Sequence, residues 1–134
     1  MTTAVELAER GHQLAAWVNF DGTLAMTVGS SYGPNAPPAD FSSPNPIRAA
    51  YNVDYIIDRG TGDYEIHFEN AMPDANYCVV TSGDHTSNGS NICSPHLKES
   101  GTKSPTQVQV IQQVTGNGGG GATDNAHFMV AIFR

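Results

Sequence analysis

The carboxylates Asp58, Asp63, Glu65, Glu69 and Asp74 crowd into one stretch of this chain, "DRGTGDYEIHFENAMPD". Two carboxyl groups held about 5 to 9 Å apart can cleave a glycosidic bond, one giving a proton while the other attacks or activates water. The same oxygens could bind calcium, but no DxDxDG loop is present. Strand alternation places Glu65 and Glu69 on an outward face, where charges meet water. Asp58 and Asp63 occupy ordinary turn positions. The expectation is that these carboxylates are structural and that the chain is not an enzyme.

The other reactive side chains read the same way. The histidines are His12, His67, His85, His96 and His127. His85, His96 and Asp84 could meet at a metal, yet their spacing fits no ligand motif, so solvated loop histidines are expected and no metal or other cofactor. Cys78 and Cys93 read as two reduced, partly buried thiols, with a disulfide as the alternative. "NGS" at Asn88 matches a glycosylation acceptor, which carries no weight in a bacterial cytoplasm. "TGNGGGGA" lacks the Lys-Ser/Thr ending and following helix of a phosphate loop, and reads as a flexible loop. Tyr32, Tyr51, Tyr55 and Trp17 could stack on sugar rings. Strand phase assigns Trp17 and Tyr51 to the core. Tyr32, in a Pro/Gly loop, is the exposed candidate.

Such side chains need elements to hold them, and composition limits what those are. The 134 residues suit one domain and can bury about two thirds of the unfolded surface. With 14 glycines and 8 prolines, short strands and turns are expected rather than long helices. A net charge of -7 with only 6 Lys+Arg leaves no basic patch for nucleic acid or for an electrostatic membrane anchor. No run approaches the roughly 18 apolar residues of a membrane span, and "MTTAVELAERGHQ" lacks the regions of a secretory signal.

Residues 3–16 read as the one helix. Thr3 caps it, Glu6 follows three residues later, and Ala4, Leu7, Ala8, Gly11 and Leu14 share one side. That stripe is thin and needs something to dock on. "AAWVNFDGT" reads as a strand closing in a turn, residues 23–28 as a second short strand, and residues 29–46 as a loop. Ile47, Ala49, Tyr51 and Val53 alternate along a half-buried strand running to about Ile57. "DRGTGD" turns the chain, with Gly60 and Gly62 free to take positive φ. Tyr64, Ile66 and Phe68 then point inward. "NAMPDAN" breaks the pattern, and "YCVVTS" starts the next strand. "ICSPHL" reads as an edge strand because of Pro95. "TQVQVIQQV" has Gln on its open face, and "AHFMVAIFR" is apolar on both faces. A strand of that last kind is central or lies against a neighbouring subunit. The fold expected is all-β: an antiparallel β-sandwich of six to eight strands, residues 17–134, behind an N-terminal helical attachment segment, residues 1–16.

"AWVNFDGT", "IRAAYNV", "GTGDYEIHFENAMPDANY" and the closing "VAIFR" together resemble a β-rich domain of phage tail-fibre and related virion proteins, over about half of the chain. Residues 23–46 separate segments that lie closer together in that family, and residues 84–125 fall outside the likeness. The resemblance implies a virion structural protein, made in the host bacterial cytoplasm and present in the particle as a homotrimer. It implies a tail fibre or receptor-binding protein joined to other virion proteins through the N-terminal segment. Its partner would be a glycan or protein of the host surface, with no nucleic acid and no membrane insertion. A capsid-decorating or head-fibre protein is the alternative, and a glycan-cleaving virion enzyme a more distant one. Receptor-binding candidates are loop residues: Tyr32, Asn35, Asp84, His85, Asn88 and Asn117.

Overall fold

The structure, a computed structural model, describes residues 13–24, 26–34, 44–83, 91–116 and 120–134. Among them every regular element is a strand. In chain order these are β1 (Leu14–Phe20), β2 (Ser31–Tyr32), β3 (Ile47–Tyr51), β4 (Val53–Gly60), β5 (Asp63–Phe68) and β6 (Cys78–Gly83). They continue with β7 (Asn91–Leu97), β8 (Lys103–Ser104), β9 (Gln107–Gly116), β10 (Gly121–Ala122) and β11 (Phe128–Phe133). One antiparallel sheet has the order β3-β1-β11-β6. The other runs β10-β9-β5-β4-β2, with β7 and β8 also paired to β9. The count exceeds the six to eight expected because β2, β8 and β10 are two-residue pairings inside predicted loops.

The two sheets share one core, so the fold is sandwich-like. Ala16, Val18, Phe20, Phe128, Val130 and Ile132 come from the first sheet; Ile56, Tyr64, Ile66, Phe68, Val108 and Val110 come from the second. Contact is direct: Phe20 meets Tyr64 edge-on at 4.8 Å and stacks on Phe128 at 4.9 Å. Such aromatic pairs add about 0.5–1.5 kcal/mol beyond their buried area.

The expected helix over 3–16 is corrected where the structure describes it. Leu14, Ala15 and Ala16 belong to β1, because Ala16 starts the inward series Ala16, Val18, Phe20 and the strand pairs with β11. Gln13 and Arg134 extend that pairing through two backbone hydrogen bonds. The β-domain therefore begins before residue 17, and residues 3–12 lie outside the described residues. Residues 23–28 form no strand among those described. Asp21 Oδ1 instead accepts from the Thr23 amide at 2.9 Å and its hydroxyl at 2.5 Å, folding the chain into an Asx turn.

The expected strand from Ile47 to Ile57 is two strands in different sheets. Asn52 divides them with φ of 53°, a left-handed conformation that Asn tolerates better than most residues. Its amide nitrogen donates to the carbonyls of Ala15 (2.9 Å) and Asn70 (3.1 Å). Its oxygen accepts from the Asn70 backbone at 2.7 Å and side chain at 3.1 Å. A bulge before this corner explains a second correction. Phe20 pairs with Ile47 and Asn19 with Ala49, so Arg48 is skipped and the alternation reverses. Ile47 is buried, while Tyr51, assigned to the core by its phase, is 57% exposed opposite Trp17. Trp17 itself is half-buried on the outer face.

The hairpin β4–β5 forms as its sequence dictates, with Gly60 at φ 127° and Gly62 at φ 66°. Gly62 is also a matter of space: a Cβ there would lie 2.7 Å from the carbonyl oxygens of Gln112 and Thr123. The Met-Pro-Asp break then plugs the core while carrying the chain from one sheet to the other. Met72 and Tyr77 are buried, and the Tyr77 hydroxyl donates to the carbonyls of Ser104 (2.9 Å) and Gln107 (3.0 Å). On β9, Gln107 and Gln109 do face outward, but Gln112 follows Val108 and Val110 inward and is fully buried. Among the described residues its side-chain amide has no hydrogen-bond partner.

The corner predicts a graded loss. Asn52→Gly keeps the backbone conformation and loses the side-chain clamp, costing roughly 1–2 kcal/mol. Asn52→Ala adds the left-handed penalty and costs roughly 2–3 kcal/mol in all. Urea unfolding of the two variants checks the order; equal losses would show that the conformation is not what Asn52 supplies.

The buried phenols predict an alkaline limit. Burial pushes Tyr77 up to about 12, and burial followed by the hydrogen bond and negative charge of Asp124 raises Tyr64 as well. A phenol whose folded pKa lies above its usual value of about 10 supports the fold while it stays protonated. Stability from these two groups is complete below about pH 10 and declines as pH rises toward 12 and beyond. Unfolding titrations from pH 8 to 12 should show this fall, shallower in Tyr77→Phe; a flat profile in the parent chain would contradict it.

Candidate functional site

The carboxylate cluster is a set of structural ties. Asp58 faces inward on β4, and its Oδ1 accepts from the Gly60 amide at 2.7 Å. Asp63 accepts from Lys98 Nζ at 2.5 Å and from Gln109 Nε2 at 2.7 Å. Glu65 lies on the outer face of β5, as expected, but does not meet water: it is only 5% exposed. Arg59 and His67 roof it over. Arg59 donates to Oε2 through Nη2 (3.0 Å) and Nε (3.2 Å), and His67 Nε2 lies 2.6 Å from Oε1. His67 is held in turn by stacking on Tyr55, ring centres 4.3 Å apart. All four oxygens of Asp63 and Glu65 thus have a neighbouring cation, imidazole or amide. Glu69 is exposed after β5. Asp74 pairs with Arg134, and the Asn76 backbone N–H, with help from that guanidinium, holds its carboxyl below the usual range.

Of the predicted receptor-binding residues, Tyr32 alone is described. It sits in β2 beside Ile56, and its hydroxyl accepts from the Thr27 amide at 2.7 Å, so the half-buried ring braces a turn. Asn35, Asp84, His85, Asn88 and Asn117 lie outside the described residues, as does His12. His96 and His127 are exposed and apart from the Glu65 cluster. Among the described residues no three His, Cys, Asp or Glu side chains could hold a metal ion. Both thiols are free: Cys78 is exposed on β6, and Cys93 accepts from Asn125 Nδ2 at 2.9 Å.

The feature best suited to a partner is the outer face of the four-stranded sheet. There β1, β11 and β6 form a groove of about 290 Å³ lined by Trp17, Asn19, Val80, Ser82, Met129 and Ala131. Tyr51, Val80, Phe133 and Leu14 stand out around it, 57%, 56%, 40% and 42% exposed. Sequence reading located Trp17 and Tyr51 in the core and so missed this surface. Its one signal was the second apolar face of β11, Met129, Ala131 and Phe133. That strand is central, between β1 and β6, and this second face looks outward. A groove with so few polar groups cannot satisfy the hydroxyls of a sugar, and suits apolar protein surface instead.

No family model matches this chain, and neither does any curated protein or solved structure.

The roof over Glu65 makes a measurable claim. Glu65→Ala strands His67 beside the sheet and frees Arg59, and should cost about 2–3 kcal/mol. Glu69→Ala, at an exposed position, should fall within about 0.5 kcal/mol of the parent. Equal effects in urea unfolding would refute the distinction.

Proposed function

We propose that this chain is a structural protein of a phage virion, a tail-fibre or receptor-binding component that meets the host surface. The sandwich would stand on the particle, joined to other virion proteins through the N-terminal segment, with loops at one end meeting a surface glycan or protein. Three copies would form the working unit. The likeness of "GTGDYEIHFENAMPDANY" and its companion segments to virion fibre domains supports this reading. The observation that carries it is the exposed apolar face around Trp17 and Ala131. Monomeric proteins rarely leave such a patch open without a use for it, and assembly is the usual one.

The test is location. Antibody raised against the chain should decorate the tail of intact particles and block their adsorption to host cells. Decoration of the head would replace this reading with a head-fibre or capsid-decorating role. Particles that carry none of the chain would end both.

A further inference from the structure

The outer face of the four-stranded sheet sets geometric conditions on what can cover it. Its registers place Tyr51, Trp17, Ala131 and Val80 in one row across β3, β1, β11 and β6. Ala49, Asn19, Met129 and Ser82 form the next row, and Leu14, Phe133 and Cys78 lie beyond at one end. No carboxylate or basic side chain stands in these rows, although the chain carries 13 Asp+Glu. Arg48 and Arg134 lie at the margins, each already paired within the chain, with Asp21 and Asp74. Copies of a protein with net charge -7 repel one another over most of their surface; here they can approach without opposing carboxylates.

We propose that this face is where three copies of the chain close around a common axis. The inference deepens the assembly reading above and rests on it for the choice of partner; the number and the surface come from the sheet itself. Four strands about 4.8 Å apart make a wall about 19 Å wide. Three such walls enclose a triangular prism with each wall about 5.5 Å from the axis, close to half of the roughly 10 Å between packed sheets. Side chains of the three faces therefore meet at the centre with neither void nor clash.

Area points to the same number. Strands of about six residues rise roughly 20 Å, so each face covers about 400 Å² in plan. Two opposed faces total about 800 Å², short of the roughly 1,200 Å² at which stable interfaces begin, and three reach it. The relief suits a threefold arrangement too. β3 and β6 are opposite edges of the sheet. Threefold rotation brings the β3 edge of one copy against the β6 edge of the next, a head-to-tail contact that closes after three steps. Tyr51 projects from the first edge and Val80 from the second, beside a groove floored by Ala131.

Native mass spectrometry and sedimentation of the full chain at low micromolar concentration test this directly. The expected particle holds three 14.2 kDa chains. Trp17 is the one tryptophan and lies on the proposed face, so its emission should shift to the blue as concentration carries monomer into trimer. Tyr51→Glu and Val80→Asp should each weaken association by at least about 100-fold. Both side chains project outward from edge strands, so far-UV circular dichroism should stay unchanged. Asp54→Asn, exposed on the other sheet, should leave the trimer intact. A monomeric or dimeric parent chain overturns the proposal, as does a trimer indifferent to both face substitutions. A monomer that still labels the particle would sink this inference and leave the virion reading standing. A trimer with no copy on the particle would do the reverse.

Discussion

One extended run, Ile47 to Gly60, serves both sheets, and the fold depends on how that run is divided. Asn52 makes the division by entering the left-handed region, where a β-branched or bulky residue would be strained. Its side chain completes the device by joining the chain segments on either side of the corner. Ala15 belongs to β1 in the four-stranded sheet, and Asn70 follows β5 in the seven-stranded one. One amide thus ties an edge of each sheet to the other. With that edge closed, the two inner faces oppose each other, and the apolar residues of β1, β5, β9 and β11 have one place to go.

The ends of this core are closed by polar groups that are themselves paired. At one end, Asp124 Oδ1 accepts from the Gly62 amide at 2.6 Å and from the Tyr64 hydroxyl at 2.8 Å. The hairpin turn and a core ring are thereby held by the segment that leads into β11. At the other end, Met72 and Tyr77 fill the opening, and the Met72 amide donates to the Pro105 carbonyl at 2.7 Å. Lys103 stands over the Tyr77 ring at 4.5 Å and donates to the Ala75 carbonyl. The "NAMPDANY" segment therefore does more than turn the chain: it brings its own stopper. Gln112 is the exception, an amide fully buried beside Gly83 and Pro95 without a protein partner among the described residues. An unpaired buried amide costs roughly 1–3 kcal/mol, so the core carries one local conflict.

The outer faces divide the labour. The seven-stranded sheet presents a polar surface whose charges are matched in place: Lys98 with Asp63, and Arg59 with Glu65 beneath His67. The four-stranded sheet presents almost no charge. A side chain there gains by being covered, because nothing on it must be stripped of strongly held water. Charge matching on one side and its absence on the other distinguish a finished surface from one that gains by further burial.

Much of this was legible in the residues. The hairpin of Gly60 and Gly62, the inward series Tyr64, Ile66, Phe68, the edge strand forced by Pro95 and the central β11 follow from turn chemistry and a period of two. These depend on neighbours close in sequence. What the sequence left open is which of two faces points inward once a strand is bulged or cornered. Skipping Arg48 and turning at Asn52 carried Tyr51 out of the core to which its phase assigned it. The burial of Glu65 was equally hidden, since its roof needs Arg59 from the opposing strand and a ring stacked on Tyr55. The reading of residues 3–16 as a helix failed at Leu14–Ala16, where pairing with β11, more than a hundred residues away, outweighs a thin helical stripe. By itself, then, the sequence determined the class of fold and the local turns, because backbone conformation at glycine, proline and alternating strands is a short-range property. The tertiary structure decided which face was left bare, because that depends on register between strands distant in the chain.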